Sequence, residues 1–224
     1  MKNENYGASY FEFQDPIGKK TVRLKDRFQP YISIDSTVLD FGCGAGYLLD
    51  SIECKNKIGV DINPLALNEA SKKGIKTFNT LQDVKNDSID CIISNSTLGH
   101  LSNPIEILTE LKSKLKIGGM VIFSVPHESI NFKFKQNDIN QIFYTWSPMS
   151  LGNLFKNLGF EVIEVKIYKE IYFPNETNIQ NEIIIIALNF FRPLYRIFRL
   201  VIEELGILRL GRDGNIILYS RKIS

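Results

Sequence analysis

Apolar positions along the chain fall into two rhythms that alternate from residue 37 onward. Short β-branched runs occupy 37–41, 57–62, 75–78, 89–94, 120–125 and 161–167, each the length of a single strand. Between them lie segments with helical punctuation. Asn63-Pro64 opens one that Gly74 closes, Asn103-Pro104 opens another that stops before Gly118-Gly119, and Ser147-Pro148 opens a third closed by Gly159. In each, an Asn or Ser side chain suits the cap, proline suits the first helical position, and glycine suits the end. Within the second, Ile105, Leu108, Leu111 and Leu115 form one apolar face. Strand and helix alternating in this way predict right-handed βαβ units around a mostly parallel sheet, and hence an α/β fold. Ligands of such sheets bind beyond the carboxyl ends of the strands.

Two stretches break the rhythm. Residues 1–35 carry Tyr6, Tyr10, Phe11 and Phe13, then the basic run Lys19-Lys20-Thr21-Val22-Arg23-Leu24-Lys25. From 171 to 213 the strand pattern gives way to a long apolar, helical-looking stretch, after which 215–221 reads as one last strand. The chain therefore divides into an N-terminal cap (1–35), an α/β core (36–170 with 214–224) and a helical insertion (171–213). A length of 224 residues, 44% hydrophobic and 23% charged, fits one soluble domain with something added.

Charge and cysteine content narrow the chemistry. Lys+Arg 27 against Asp+Glu 25 leaves a formal net charge of +2, so no nucleic-acid partner is expected. The three cysteines, Cys43, Cys54 and Cys91, form no CxxC pair, so neither a metal site nor a disulfide framework is expected. The polar opening MKNENYGASYFEFQD has neither the basic nor the apolar region of a secretory leader, and a cytoplasmic location is expected.

The sharpest motif is Asp40-x-Gly42-x-Gly44-x-Gly46, where the first strand turns into the first helix. Alternate glycines let the backbone turn tightly and admit a ligand with no Cβ in the way. Asp61, closing the second strand, is an acceptor suited to ribose hydroxyls. A dinucleotide fingerprint needs G-x-G-x-x-G, and neither register of this loop supplies the third glycine. An acidic residue two positions ahead of the first glycine suits a nucleoside carrying positive charge better than a pyrophosphate.

At this point the sequence resembles the class I S-adenosylmethionine-dependent methyltransferases. The glycine loop looks like their motif I. Ile89-Asp90-Cys91-Ile92-Ile93 through Leu98-Gly99-His100-Leu101 is similar to their fourth-strand segment. Leu115-Lys116-Ile117-Gly118-Gly119 resembles the turn before their strand five, and Leu158-Gly159-Phe160-Glu161-Val162 the start of strand six. The resemblance covers about residues 36–170. It implies a three-layer α/β/α sandwich on a seven-stranded sheet, the last strand antiparallel beside strand six.

The resemblance also implies that Asp40, Gly42, Cys43, Gly44 and Gly46 hold the methionine part of S-adenosylmethionine. Cys43 is expected to pack behind that loop rather than act as a nucleophile. Asp61, with Ile62, would bind the ribose, and Asn95 and Ser96 would flank the reacting centre. No acidic residue matches the usual adenine contact after strand three; Thr80, followed by Leu81, is nearest by spacing, and Asp83 is the second choice. Gly99 and Ile117 depart from the family's usual Glu and Pro.

Methyl transfer to a hydroxyl gains from a base near neutral pKa, and the chain has two histidines, His100 and His127. Both fall at carboxyl ends of expected strands, His127 followed by Glu128 as a possible orienting carboxylate. Each has a plain structural alternative as a hydrogen-bonded histidine at a strand–helix junction. Tyr6, Tyr10 and Phe11 are candidates for a lid, and Tyr144 and Trp146 for the acceptor pocket. In the insertion, Arg192, Arg196 and Arg199 recur along one helix face. Three arginines and Pro193 argue against a membrane span. The stretch 183–205 then reads as a helical cap, a homodimer contact, or a surface for an anionic membrane or lipid-linked substrate.

The expectation is methyl transfer from S-adenosylmethionine, giving S-adenosylhomocysteine, to a small-molecule hydroxyl on a sugar or isoprenoid-type intermediate. The alternatives are a nicotinamide-binding oxidoreductase on a related fold and a cofactor-binding regulatory subunit without catalysis.

Overall fold

Three helices begin where side-chain caps were expected. Asn63 accepts from the N–H groups of Leu65 and Ala66 and opens Pro64–Ser71. Asn103 accepts from the Glu106 N–H and opens Pro104–Lys114. Ser147 forms a reciprocal capping box with Ser150 and opens Pro148–Asn157. The computed structural model that shows this describes residues 7–127, 134, 136–168 and 214–224. In chain order the helices are α1 (Ala8–Lys19), α2 (Lys25–Phe28), α3 (Tyr47–Ser51), α4 (Pro64–Ser71), α5 (Pro104–Lys114) and α6 (Pro148–Asn157). The strands are β1 (Thr37–Phe41), β2 (Asn56–Val60), β3 (Lys76–Phe78), β4 (Ile89–Asn95), β5 (Leu115–Pro126), β6 (Phe160–Tyr168) and β7 (Asn215–Lys222).

The strands form one seven-stranded sheet in the order β3-β2-β1-β4-β5-β7-β6. The first five run parallel; β7 lies antiparallel between β5 and β6. The expected antiparallel last strand is there, and it occupies an interior position rather than an edge. β5 starts at Leu115, five positions before the expected 120, because Leu115 is fully buried opposite Ile89.

Both faces of the sheet are covered, which explains the unbroken apolar runs in the sequence. Leu39, Ile92, Val121, Phe123 and Leu218 face a core shared with Leu108, Leu111, Leu151 and Phe155 of α5 and α6. Their neighbours Val38, Ile93, Ile122, Ile217 and Tyr219 face the opposite core with Leu48, Leu49 and Ala70 of α3 and α4. Leu24, Phe28 and Ile32 join that second core, so the part of the N-terminal region after α1 belongs to the sheet packing. The α5 face differs in two members from the expected stripe: Ile105 is 56% exposed, and Leu115 lies past the helix as the first residue of β5.

Tyr6, Glu128 and the whole insertion 171–213, with its arginines, lie outside the described residues. Among the described residues, no helix is long and apolar enough to cross a membrane.

Candidate active site

Parallel pairing aligns Phe41 with Val60, so β1 and β2 end side by side. Past that point the chain bends across the end of β2: the N–H groups of Gly42 and Cys43 both donate to the Val60 carbonyl, at 2.8 and 3.1 Å. The bend needs left-handed backbone, and Gly42, Gly44 and Gly46 have φ of 74°, 53° and 77°. A Cβ on Gly42 would fall 2.0 Å from Thr97 Oγ1, so this glycine is fixed by packing against the β4 loop. A Cβ on Gly44 would meet nothing within 4 Å, so this glycine borders open space.

That space is a cleft of about 690 Å³ at the carboxyl ends of β1, β2 and β4. Asp40 lies at its floor, 2% exposed, with Oδ1 buried and, among the described residues, without a hydrogen-bond partner. Loss of hydration, and then the charge of Asp61, raise its carboxyl to about 8. A carboxylate so placed is stabilised by a cation, which fits the sulfonium and ammonium of the expected cofactor and not a pyrophosphate. Asp61 takes the Gly44 N–H at 2.8 Å and the Asn63 N–H at 2.9 Å. Burial raises its carboxyl, and the N–H groups of Asn63, Gly44 and Ile62 act against that rise.

Ile62, Thr80 and Leu81 continue the lining toward β3, whereas Asp83 does not reach it. Thr80 caps the short turn Leu81–Asp83. Cys43 also lines the cleft, and its sulfur sits where a Cβ on Gly59 would approach to 2.8 Å. Burial first, then Asp40 and Asp61, push its thiol well up, so it is a packed thiol and not a thiolate.

On the β4 side, Asn95 and Ser96 line the cleft. Asn95 Oδ1 is buried without a hydrogen-bond partner. Ser96 holds φ at 63° while its N–H donates to Ser124 O at 2.7 Å, a strained geometry for a serine beside a ligand cleft.

His100 lies in the cleft at the end of the turn Leu98–His100. Burial lowers its pKa below the ordinary 6.5, against a raising effect from the Asn140 backbone and Asp138. It is therefore a mainly neutral imidazole at neutral pH, able to accept a proton. His127 is placed differently. It follows β5, and its N–H donates to Gly214 O at 3.0 Å where β7 begins. The strand order sets the end of β5 one position beyond the β1–β4 crevice, and His127 is not among the cleft-lining residues.

The expected acceptor pair also needs correction. Tyr144 and Trp146 are absent from the described lining, and Gln141 and Phe143 of the same segment are present. The Phe143 and Tyr144 N–H groups both donate to Gly99 O, at 2.9 and 3.2 Å. From there the Tyr144 hydroxyl reaches Ser102 O, and Trp146 packs on the α5–α6 core. Gly99 makes this crossing feasible, since a Cβ there would lie 3.0 Å from Tyr144 O.

The roof of the cleft is α1. Tyr10 and Phe11 line the space, joined by Gln14, Asp15, Ile17 and Gly18. These recur at helical spacing, a signal present in the sequence once 8–19 is read as a helix. No α1 side chain is buried. Polar contacts hold the helix instead: Tyr47 Oη to Asp15 at 2.8 Å, Gln14 to Asn140 at 3.2 Å, and Asn63 to Gly7 O at 3.3 Å. The Asp15–Lys19 ion pair lowers the Asp15 carboxyl.

Comparison with known proteins gives the fold a context. A family described as a methyltransferase domain matches residues 13–165. A tRNA U34 carboxymethyltransferase of Shewanella oneidensis is 32% identical over 117 residues, covering 43% of this chain and 34% of that protein. A ribosomal protein L11 methyltransferase of Clostridium botulinum is 28% identical over 146 residues, covering 61% of this chain and 41% of that protein. The chain thus spans half or less of the length of these curated relatives. A crystal structure of an S-adenosylmethionine-dependent methyltransferase from Archaeoglobus fulgidus superimposes with a TM-score of 0.68 at 21% identity, over 96% of this chain and 100% of that one.

Proposed function

The chain belongs to the methyltransferase-domain family; from that premise we propose that it is an S-adenosylmethionine-dependent methyltransferase that methylates a hydroxyl of a small-molecule acceptor, with His100 as the base. The observation that carries this reading is the unpartnered, buried Asp40 oxygen in the same cleft as a neutral His100. The family match sets aside the nicotinamide-dependent alternative.

When bound, S-adenosylmethionine supplies an electrophilic methyl carbon on a cationic sulfur. Asp40 and the glycine loop hold its methionine part, Asp61 its ribose hydroxyls, and Ile62, Thr80 and Leu81 its base. Asn95 and Ser96 flank the reacting centre. His100 takes the hydroxyl proton of the acceptor as the oxygen attacks. Tyr10 and Phe11 on α1 exclude water and align the acceptor, which is the main demand of an in-line displacement. A sugar or isoprenoid-type intermediate is the acceptor class. The insertion 171–213 is assigned to acceptor recognition on its sequence alone.

Calorimetry with S-adenosylhomocysteine and NADH tests the cofactor. The first should bind and the second should not; the reverse would end this reading. Labelled methyl transfer to a panel of sugar and isoprenoid alcohols tests the acceptor. A second reading, a tRNA acceptor, draws support from the name of the Shewanella relative. Incorporation of label into bulk tRNA but into none of the alcohols would favour it.

A further inference from the structure

A polar bridge runs from Thr80 between the β3 and α5 walls of the cleft, and its other two members, Gln82 and Glu110, have no role in the proposed function. The Thr80 hydroxyl donates to Gln82 Oε1, and Gln82 Nε2 donates to Glu110 Oε2 at 3.0 Å. Gln82 is itself anchored, its backbone N–H donating to Thr80 Oγ1 at 3.0 Å. Gln82 and Glu110 both line the cleft. Among the described residues, only Gln82 hydrogen-bonds the Glu110 carboxylate.

The place of this bridge along the sheet edge indicates what it meets. The glycine loop stands at β1, the ribose acceptor Asp61 just past β2, and Thr80 and Gln82 just past β3. A nucleoside laid in that order puts its base beyond Asp61. There Ile62, 46% exposed, and Ile107 of α5 offer apolar surface to a flat ring. The edge of an adenine carries an exocyclic amine, which is a donor. The usual acidic acceptor after strand three is missing, since Thr80 holds that position and Asp83 does not line the cleft. A carboxylate is nevertheless present, delivered from the opposite wall.

We propose that Glu110, oriented by the Thr80–Gln82 relay, accepts a hydrogen bond from the exocyclic amine of the cofactor's adenine and sets the enzyme's choice of base. The proposal rests on the cofactor orientation given under Proposed function. Gln82 is the positioning residue: its amide holds one carboxylate oxygen and leaves the other for the base. An inosine base presents a carbonyl oxygen at the same place, and a carboxylate repels it.

Calorimetry with S-adenosylhomocysteine and S-inosylhomocysteine tests this without turnover. The wild-type chain should prefer the adenosyl compound by about tenfold or more, the size of a hydrogen bond to a charged group. Glu110→Gln offers an amide that can also donate to the inosine carbonyl, and should bring the preference below about threefold. Asp61→Asn should weaken both nucleosides alike. Glu110 is a surface helix residue, so thermal denaturation of Glu110→Gln should match wild type. If the variant binds S-adenosylhomocysteine with an unchanged preference, Glu110 does not read the base. If wild type binds neither nucleoside, the cofactor orientation itself is wrong, and both readings fall together.

Discussion

The unpartnered Asp40 carboxyl makes cofactor affinity depend on pH in a direction that can be worked out. In the free chain it titrates near 8, against an ordinary value of 3.8. The proton is therefore retained at pH 7, and only the ionised form can receive the ammonium or sulfonium of the ligand. Binding lowers the carboxyl and expels the proton. The proton's competition weakens affinity by a factor of one plus ten to the power of (8 minus pH). That factor is about 100 at pH 6 and about 4 at pH 7.5, so affinity for S-adenosylhomocysteine should rise about 25-fold over this window. Titrations in buffers of different ionisation enthalpy should show close to one proton released per ligand bound at pH 7. Asp40→Asn should abolish both the release and the rise. The same linkage acts on folding: because the folded value exceeds the unfolded one, Asp40's contribution makes the stability of the free chain fall as pH climbs from about 4 to about 8, and Asp40→Asn should remove that share of the fall. Flat affinity between pH 6 and 7.5, with no proton released, would refute the assignment of Asp40 as the cation's partner.

Gly42→Ala and Gly44→Ala should separate folding from binding. The first meets Thr97 and should lower the melting temperature sharply, while the second should cost about 1 kcal/mol in stability and block the ligand, read by calorimetry. His100→Ala should lower turnover by about 10²–10⁴ with S-adenosylhomocysteine affinity within twofold, and wild-type activity should fall as pH drops through a value below 6.5. Phe28→Ala, a fully buried aromatic truncation, should cost about 3–5 kcal/mol in urea denaturation, and a cost below about 1 kcal/mol would return that segment to a loose cap.

The parts of this molecule that were legible in the sequence are those where one residue type answers one backbone demand. Asn63, Asn103 and Ser147 announce helix starts because their short side chains satisfy free N–H groups. Gly42, Gly44 and Gly46 announce the ligand loop because few other residues tolerate its left-handed backbone. What escaped depends on three-dimensional juxtaposition. Tyr144 and Trp146 looked like pocket residues by type, yet the hold on Gly99 O turns their neighbours Gln141 and Phe143 inward. His127 occupies the correct end of a strand, but the strand order sets it aside, and order is not written in hydrophobic rhythm. Glu110 reads as an ordinary solvent-facing helix residue until Gln82 is found 3.0 Å away, 28 positions earlier in the chain.

The interior position of β7 bears on how the chain is made. Synthesis delivers β5 and β6 first, each with a bare edge where the other's partner will lie, and no hairpin between them can close the gap. Only when 215–222 leaves the ribosome does a single segment zip both edges at once. A nascent chain stalled at residue 214 would hold two open templates for strand pairing, the state in which aggregation competes with folding. The eight-residue β7 is thus the keystone of the described sheet, set in place after its other six strands.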